Sequence, residues 1–487
     1  MAQETAGAGP AGDEFDLGGW RVRPSLNRLV RDGATVRLEP KMMDVLTTLA
    51  GHAGRVVSKD ELAAAVWPDV FVTESVITRA IAGLRRALED DAREPRFIET
   101  IAKRGYRLIA PPRPVAGHAP PAAPAGAPAA PSTGATQSPP YAAGQWVRGE
   151  RFHGREAEIA EVLDGPRNAL WLLGSRAIGK TSTLRQLEHL CADSGYRGFL
   201  PLFWDLQGSD DPERLDADFA EALADAGERL ARAGVNLDEI AADDFLVSLG
   251  RLRRALAARG LTLLLLLDEA EELLGLQERS PALLRKLRRA LLSPEGIRTV
   301  LASSGRLWRL ADRDDDTSPF LHGFAPPIYL GCLDEAAARR LVLQGSGEPH
   351  AAPDDQAVEE IVRLSGGHPF LLQLLGTRYW QLGDLGRAAE AVAADASVHR
   401  LFAVDLELLS APERELLREL AGTGGAREED LGGPAPSADA AASLHLEQLG
   451  VVRRRTAGRL EIRSPLLRRW LEGRPGAVDG RRPSAAS

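Results

Sequence analysis

The sequence predicts a multidomain chain: an α+β N-terminal module, a central α/β module on a parallel sheet, and a helical C-terminal region ending in a strand pair. Three observations carry this reading. Residues 111–145 are dominated by Pro, Ala and Gly with almost no charge, so they cannot bury a core and read as a linker. The run LTLLLLLDEAEEL, Leu261–Leu273, is apolar almost throughout before its carboxylates, as suits a parallel strand buried on both faces. Ahead of it GSRAIGKT, Gly174–Thr181, fits G-x-x-x-x-G-K-[ST]; an apolar strand, Ala169–Gly174, precedes it and helical periodicity, Ser182–Leu190, follows.

With 487 residues, 44% of them hydrophobic, the chain can hold three or so domains. A net charge of -9 excludes wrapping of nucleic acid by the whole chain, so any such contact must be local. Cys191 and Cys332 have neither metal-ligand nor disulfide spacing, which suits a reducing cytoplasm. There is no basic-then-apolar leader, and the longest aliphatic run, Leu263–Leu267, is far short of the ~20 residues that span a bilayer. The expectation is a soluble cytoplasmic protein with no membrane partner.

In the N-terminal module, period-two stretches broken at Arg31-Asp32-Gly33 predict a hairpin. Met42–Ala50 has helical apolar spacing. Ser58-x-x-Glu61 is a capping box that opens a helix over Lys59–Val66, stopped near Pro68. A third helix is predicted over Thr73–Leu88, with Ile77, Ile81, Leu84 and Leu88 on one face and Thr78, Arg79, Arg85 and Arg86 elsewhere. FIETIAKRGYRLI then alternates as a hairpin carrying Lys103, Arg104 and Arg107.

Over residues 15–110 these elements resemble the winged helix-turn-helix of OmpR/PhoB-type regulators, above all the CadC-like version, whose hallmark is similar to VTESVITRAIAGLRRALEDDAREPRFIETIAKRGYRLIA. The resemblance implies double-stranded DNA as partner. It places helix Thr73–Leu88 in the major groove, with Thr78, Arg79, Ser75 and Ala82 near base edges. Arg85, Arg86, Lys103, Arg104 and Arg107 would meet phosphates or the minor groove. The module holds 16 Lys and Arg against 13 Asp and Glu, slightly basic in an acidic chain. Neither a receiver domain before residue 15 nor a membrane span after the winged helix is apparent, so signal input is expected in the remaining two-thirds.

In the central module the glycines of GSRAIGKT let backbone amides curl around phosphates, and the helix N-terminus adds its positive dipole end. Gly174, Ser175, Arg176, Ala177, Ile178, Gly179, Lys180, Thr181 and Ser182 are the expected nucleotide-binding residues. Lys180 would reach the β/γ-phosphates and Thr181 would ligate Mg2+. Asp268, at the carboxyl end of its strand, is the expected Mg2+ holder through water, and Glu269 the candidate to orient or deprotonate an attacking water.

RFHGRE, Arg151–Glu156, together with this loop and Asp268-Glu269, resembles STAND-type and related AAA-like P-loop ATPases over residues 151–376. The resemblance implies ATP/ADP and Mg2+ as ligands and puts RFHGRE near the adenine. RTVLASSGR, Arg298–Arg306, takes the place of the family's sensor strand, with Ser303, Ser304 or Arg306 as the γ-phosphate sensor; a surface arginine is the other reading of Arg306. Pro327–Val342 looks like the closing strand and lid helix. LSGGHPFLLQLLG, Leu364–Gly376, is similar to the G-x-P signature in which Pro369 packs on the base; alternatively Gly366-Gly367 stops one helix and Pro369 starts another. The implied domains are an ATPase core over 146–333, a helical lid over 334–400, a second winged-helix-like domain over 401–473, and a disordered tail over 474–487. Arg453, Arg454, Arg455, Arg459 and Arg463 of that second domain face either DNA or the nucleotide module.

These readings converge on a DNA-binding transcriptional regulator controlled by an ATP/ADP switch, with self-association and an unidentified signal or protein partner. The alternatives are an ATP-hydrolysing, DNA-associated or defence-complex ATPase that uses the winged helix for targeting, and a nucleotide-holding scaffold whose winged helices bind proteins.

Overall fold

The computed structural model describes residues 14–24, 28–31, 34–38, 40–66, 74–91, 95–101, 104–114, 140–192, 198–209, 211–310, 320–344, 353–427, 436–455 and 458–473. They fall into two compact units, residues 1–137 and 138–487.

In the first unit, strands β1 (Phe15–Leu17), β2 (Trp20–Arg23), β3 (Arg28–Arg31) and β4 (Ala34–Arg37) form an antiparallel meander. Phe15, Leu17, Trp20, Val22 and Leu29 alternate into the core. The β3–β4 register pairs Arg31 with Ala34, so the two strands form the predicted hairpin; Asp32 and Gly33 themselves lie outside the described residues. Then follow α1 (Pro40–Gly51), β5 (Val56–Val57), α2 (Lys59–Val66), α3 (Glu74–Leu88), β6 (Ile98–Ile101), β7 (Gly105–Leu108) and β8 (Pro112–Pro114). The capping box is formed: Ser58 N donates to Glu61 Oε2 at 2.8 Å, and Glu61 N to Ser58 Oγ at 3.1 Å. Ile77, Ile81, Leu84 and Leu88 bury the predicted face of α3 against Met43, Leu46 and Leu49 of α1. The two-residue β5 is not evident in the sequence; it pairs with β7, making the wing a three-stranded sheet.

The strand β8 pairs with β1 within the stretch that composition reads as linker. At the other end of that stretch Tyr141 Oη donates to Val342 O at 2.7 Å and Ala142 N to Gln373 Oε1 at 2.6 Å. A Pro/Ala/Gly composition does not stop one aromatic ring and a few backbone groups from finding partners.

In the second unit, α4 (Glu156–Asp164), β9 (Ala169–Leu173), α5 (Lys180–Cys191), β10 (Phe199–Asp205), α6 (Pro212–Asp225), α7 (Gly227–Arg232), α8 (Leu237–Ile240), α9 (Phe245–Ala257), β11 (Thr262–Asp268), α10 (Leu273–Arg279), α11 (Pro281–Leu291), β12 (Ile297–Ser303) and β13 (Ile328–Tyr329) build an α/β layer. Its sheet is parallel throughout, in the order β10-β11-β12-β9-β13. Leu263, Leu265, Leu267 and Leu301 pack on one face with α6, α9 and α11. Leu264, Leu266, Val300 and Ala302 pack on the other with α4 and α5. Burial on both faces explains the unbroken apolar run of β11.

The remainder comprises α12 (Glu335–Leu343), α13 (Asp355–Ser365), α14 (Pro369–Leu382), α15 (Leu385–Ala393), α16 (Ala396–Leu408), α17 (Ala411–Thr423), β14 (Ala426–Arg427), α18 (Pro436–Gln448), β15 (Val452–Arg454), β16 (Arg459–Ile462) and α19 (Pro465–Glu472). One continuous core from Leu333 to Leu471 crosses residue 400, where sequence reading separates a lid from a second winged-helix-like domain. Amphipathic helices joined by short turns carry no sequence mark of which neighbours share a core.

Gly105 has φ +129°, and a Cβ there would lie 2.1 Å from Val57 O, so only glycine lets β7 start against β5. Gly105→Ala should destabilise the first unit by about 2–4 kcal/mol. Urea unfolding of the full chain reads this as an early shift of the N-terminal transition; an unchanged midpoint would refute the assignment.

Candidate functional site

The loop Gly174–Gly179 leaves β9 at the carboxyl edge of the sheet and enters α5 through Gly179, with Ala177 also at positive φ. Gly174 N donates to Ser303 O of the neighbouring β12 at 3.3 Å, and Leu330 N, just after β13, to Leu173 O at 2.8 Å. The loop is thus framed by the strands on either side of β9. Lys180 Nζ donates to Gly174 O at 3.2 Å and Ser175 O at 3.0 Å, so its ammonium lies over the leading half of the loop. Ser182 faces the other way, its Oγ accepting from Val147 N at 3.1 Å.

Thr181 lies beside the carboxylate of Asp268 and favours its ionised form, and that carboxylate accepts from Glu269 N at 3.1 Å. Burial lifts the Asp268 carboxyl to about 6, against the pull of Thr181 and Lys180. Glu269 has φ +51°, and its carboxyl is pushed well above the ordinary range by burial, then by Glu271 and Asp268. Asp205, in register with Asp268 on the adjacent strand, adds a further negative charge to this edge.

The three sensor candidates separate. Ser303 Oγ accepts from Trp171 Nε1 at 2.8 Å and donates to Ser304 O at 3.0 Å, so it is used inside the fold. Ser304 Oγ donates to Glu271 at 2.8 Å, close to Glu269. Arg306 is exposed on the turn that follows.

Three further residues meet the loop, Arg155 and His368 from inside motifs already named and Asp405 from outside any. Arg155, 9% exposed and at φ +71°, donates to Ile178 O at 3.3 Å and to Gly331 O, so the last arginine of RFHGRE fastens loop backbone. His368 is buried beside the loop, its pKa lowered to about 4 by burial and by the charges of Arg155 and Lys180. Asp405 of α16 accepts from Arg176 N at 3.0 Å. Burial lifts its carboxyl to about 6, while that amide and the Lys180 and Arg176 charges oppose the rise. The signal for Asp405 is its position: an acid spaced with Leu401, Phe402 and Leu406 falls on the apolar stripe of its helix, where it is half-buried.

Gly366 caps α13 in the left-handed region and Pro369 is the first residue of α14. A Cβ on Gly367 would lie 2.6 Å from Leu333 O, so this turn is a close backbone crossing. Of the C-terminal arginines, Arg453 and Arg455 pair with Glu461, Arg454 with Glu447, Arg459 donates to Gly425 O and Arg463 to Leu333 O. All five make contacts inside the unit.

On α3, Thr78 Oγ1 lies 3.3 Å from Tyr106 Oη, and Arg85 donates to Ile98 O and Thr100 Oγ1, both at 2.8 Å. Arg107 pairs with Glu99 across the wing hairpin. Arg85 and Arg107 therefore orient the wing, whereas Arg86, Ala82 and Arg104 are exposed. Lys103 and the side chains of Ser75 and Arg79 lie outside the described residues.

Residues 33–108 match the family described as Transcriptional regulatory protein, C terminal, and form an OmpR/PhoB-type domain. Over 96 residues the chain is 44% identical to the transcriptional activator CadC of Escherichia coli K12, covering 20% of this chain and 19% of CadC. It is 44% identical over 94 residues to the transcriptional regulator HilA of Salmonella typhimurium, covering 19% and 16% respectively. The match thus spans a fifth or less of either relative. Among solved structures, the DNA binding domain of E. coli CadC aligns at 39% identity over 21% of this chain and 97% of that one, with a TM-score of 0.20. The Walker-type ATPase paby2304 of Pyrococcus abyssi aligns at 20% identity over 67% of this chain and 98% of that one, with a TM-score of 0.49. Among the described residues no helix is long and apolar enough to cross a membrane.

His368 and Asp405 should oppose each other in the pH dependence of stability. The His368 pKa falls from 6.5 to about 4 on folding, so its contribution is intact above 6.5 and is lost as pH drops toward 4. The Asp405 pKa rises from 3.8 to about 6, so its contribution is intact below 3.8 and is lost as pH rises through 6. Asp405→Asn should therefore steepen the loss of stability on acidification between pH 6.5 and 4, and His368→Gln should flatten it. Urea midpoints across that range check this, and parallel profiles for the two variants would reject it.

Proposed function

We propose that the chain is a DNA-binding transcriptional regulator in which a STAND-like module, by its ATP or ADP state, controls how the winged helix engages operator DNA. The observation that carries the reading is the presence, in one chain, of the regulator domain at 33–108 and the loop Gly174–Thr181 with Thr181 beside Asp268. Helix α3 takes the major groove, with Arg79 and Ser75 toward base edges and Arg86, Lys103 and Arg104 toward phosphates. Residues 174–182 take the nucleotide. The residues fit Mg2+: the Thr181 hydroxyl and the Asp268 carboxylate are adjacent hard oxygen donors, the kind this ion prefers. Bound there, the ion would neutralise phosphate charge. Lys180 leaves the loop carbonyls it now contacts for the phosphates, and Arg155 holds the loop backbone while it does so. The lid over 334–400 and the domain over 401–473 close on the nucleotide, and self-association or a partner supplies the signal.

The second reading, an ATP-hydrolysing DNA-associated or defence-complex ATPase, is favoured by one observation. Glu269, beside Asp268, is shifted toward the pKa range useful to a general base. DNA-stimulated turnover that is lost in Glu269→Gln would support it over the switch.

The decisive experiment is selection of bound DNA from a random library by the full chain with ATP, with ADP and with neither. A shared sequence whose enrichment changes with nucleotide supports the switch; enrichment blind to nucleotide rejects it. Lys180→Ala should abolish ATP binding and leave the N-terminal unfolding transition unchanged. Arg104→Ala should weaken binding to all sequences alike and lower the salt slope by about 1, whereas Arg79→Ala should cost about 1–3 kcal/mol on the selected site only.

A further inference from the structure

Asp405 sits on the apolar stripe of α16, four residues after Leu401 and three after Phe402, both buried. Asp405 itself is half-buried, and its carboxylate turns toward the loop between β9 and α5. Here the partner is backbone: Arg176 N–H donates to Asp405 Oδ1 at 3.0 Å. That amide belongs to the loop whose N–H groups are suited to phosphate, so one anion-binding position is held by a side chain from more than two hundred residues away.

The position within the loop is informative. The Lys180 ammonium, which in such loops reaches the β/γ-phosphates, lies over Gly174 O and Ser175 O, next to Arg176. The α5 N-terminus at Gly179–Thr181 lies at the other end of the loop, where inner phosphates are cradled. The Arg176 amide is therefore on the terminal-phosphate side.

We propose that Asp405 sets the preference of this site between nucleoside di- and triphosphate: its carboxylate and the terminal phosphate compete for the Arg176 amide. The inference rests on the reading of residues 174–182 as a nucleotide site. A diphosphate leaves the Arg176–Asp405 bond in place, and a triphosphate displaces it, because two anions cannot share one N–H donor. Displacement is transmitted, since α16 shares its core with α19, the Phe402 and Trp470 rings standing 5.8 Å apart edge to face.

The test measures equilibrium binding of a fluorescent non-hydrolysable ATP analogue and of fluorescent ADP to the full chain, with Mg2+, for the unsubstituted protein and for Asp405→Ala, Asp405→Asn and Lys180→Ala. Asp405→Ala should bind the ATP analogue about tenfold tighter and ADP within about twofold of the unsubstituted chain. The isosteric Asp405→Asn should shift the same way by less, which keeps the test open if the alanine variant fails to fold. Hydrogen exchange in α16 should rise with the ATP analogue and not with ADP. Unchanged or weakened ATP-analogue binding in both variants, or an equal gain for ADP, overturns the proposal while the nucleotide reading stands, as long as Lys180→Ala has lost binding. If neither nucleotide binds any form of the chain, the nucleotide reading fails and the proposal fails with it.

Discussion

A glycine-rich loop that turns sharply from strand to helix leaves backbone carbonyls and amides outside regular structure, and those of Gly174–Gly179 find partners from several distant elements of the second unit. The carbonyls of Gly174 and Ser175 are met by Lys180, that of Ile178 by Arg155, and the amide of Arg176 by Asp405. Those donors and acceptors come from α5, from the segment ahead of α4, and from α16. Each has to be carried to the loop by its own packed element. Arg155 also reaches Gly331 O, and a Cβ at Gly367 would strike Leu333 O, so the chain just after β13 is pressed between the loop and the α13–α14 turn. The sheet and the C-terminal core meet at these backbone positions, and also where Tyr329 packs edge to face on His445.

The same region concentrates titratable groups that are buried, as Asp268 and His368 are, or half-buried, as Glu269 and Asp405 are. Asp268, Glu269 and Asp405 are all shifted toward their protonated forms by burial, and His368 toward neutrality, with Lys180 as the common nearby cation. A core built for stability alone would place apolar groups there. Perturbed titration of several groups at one sheet edge is the pattern expected of a site where charge is received. The first unit divides its arginines in an analogous way. Arg85 and Arg107 tie the wing to α3 and to itself, while Arg86 and Arg104 stay exposed and available for long-range attraction.

Much of the architecture is legible locally. The capping box at Ser58 and Glu61, the β3–β4 hairpin, the apolar run of β11 and the strand–loop–helix at Gly174–Thr181 all occur where spacing puts them, because each is specified by residues within a few positions of one another. The limits are equally specific. Strand β5 is two residues long and exists only through its pairing with β7, and β8 lies inside a proline-rich stretch that composition alone reads as linker. At the site, Ser303 and Ser304 are indistinguishable in RTVLASSGR. Trp171 engages one and Glu271 the other, and both partners are distant in sequence.

By itself, then, the sequence determined several of the strands, helices and turns, and which short motif could cradle phosphate, because propensity, periodicity and capping act over one or two turns of chain. Only the tertiary structure decided that Arg155 fastens the loop, that Asp405 occupies its Arg176 amide, and that residues 333–471 share one core. Those outcomes depend on buried donors and acceptors finding partners across the fold, and the cost of leaving any of them unsatisfied selects the pairing only once every element is packed.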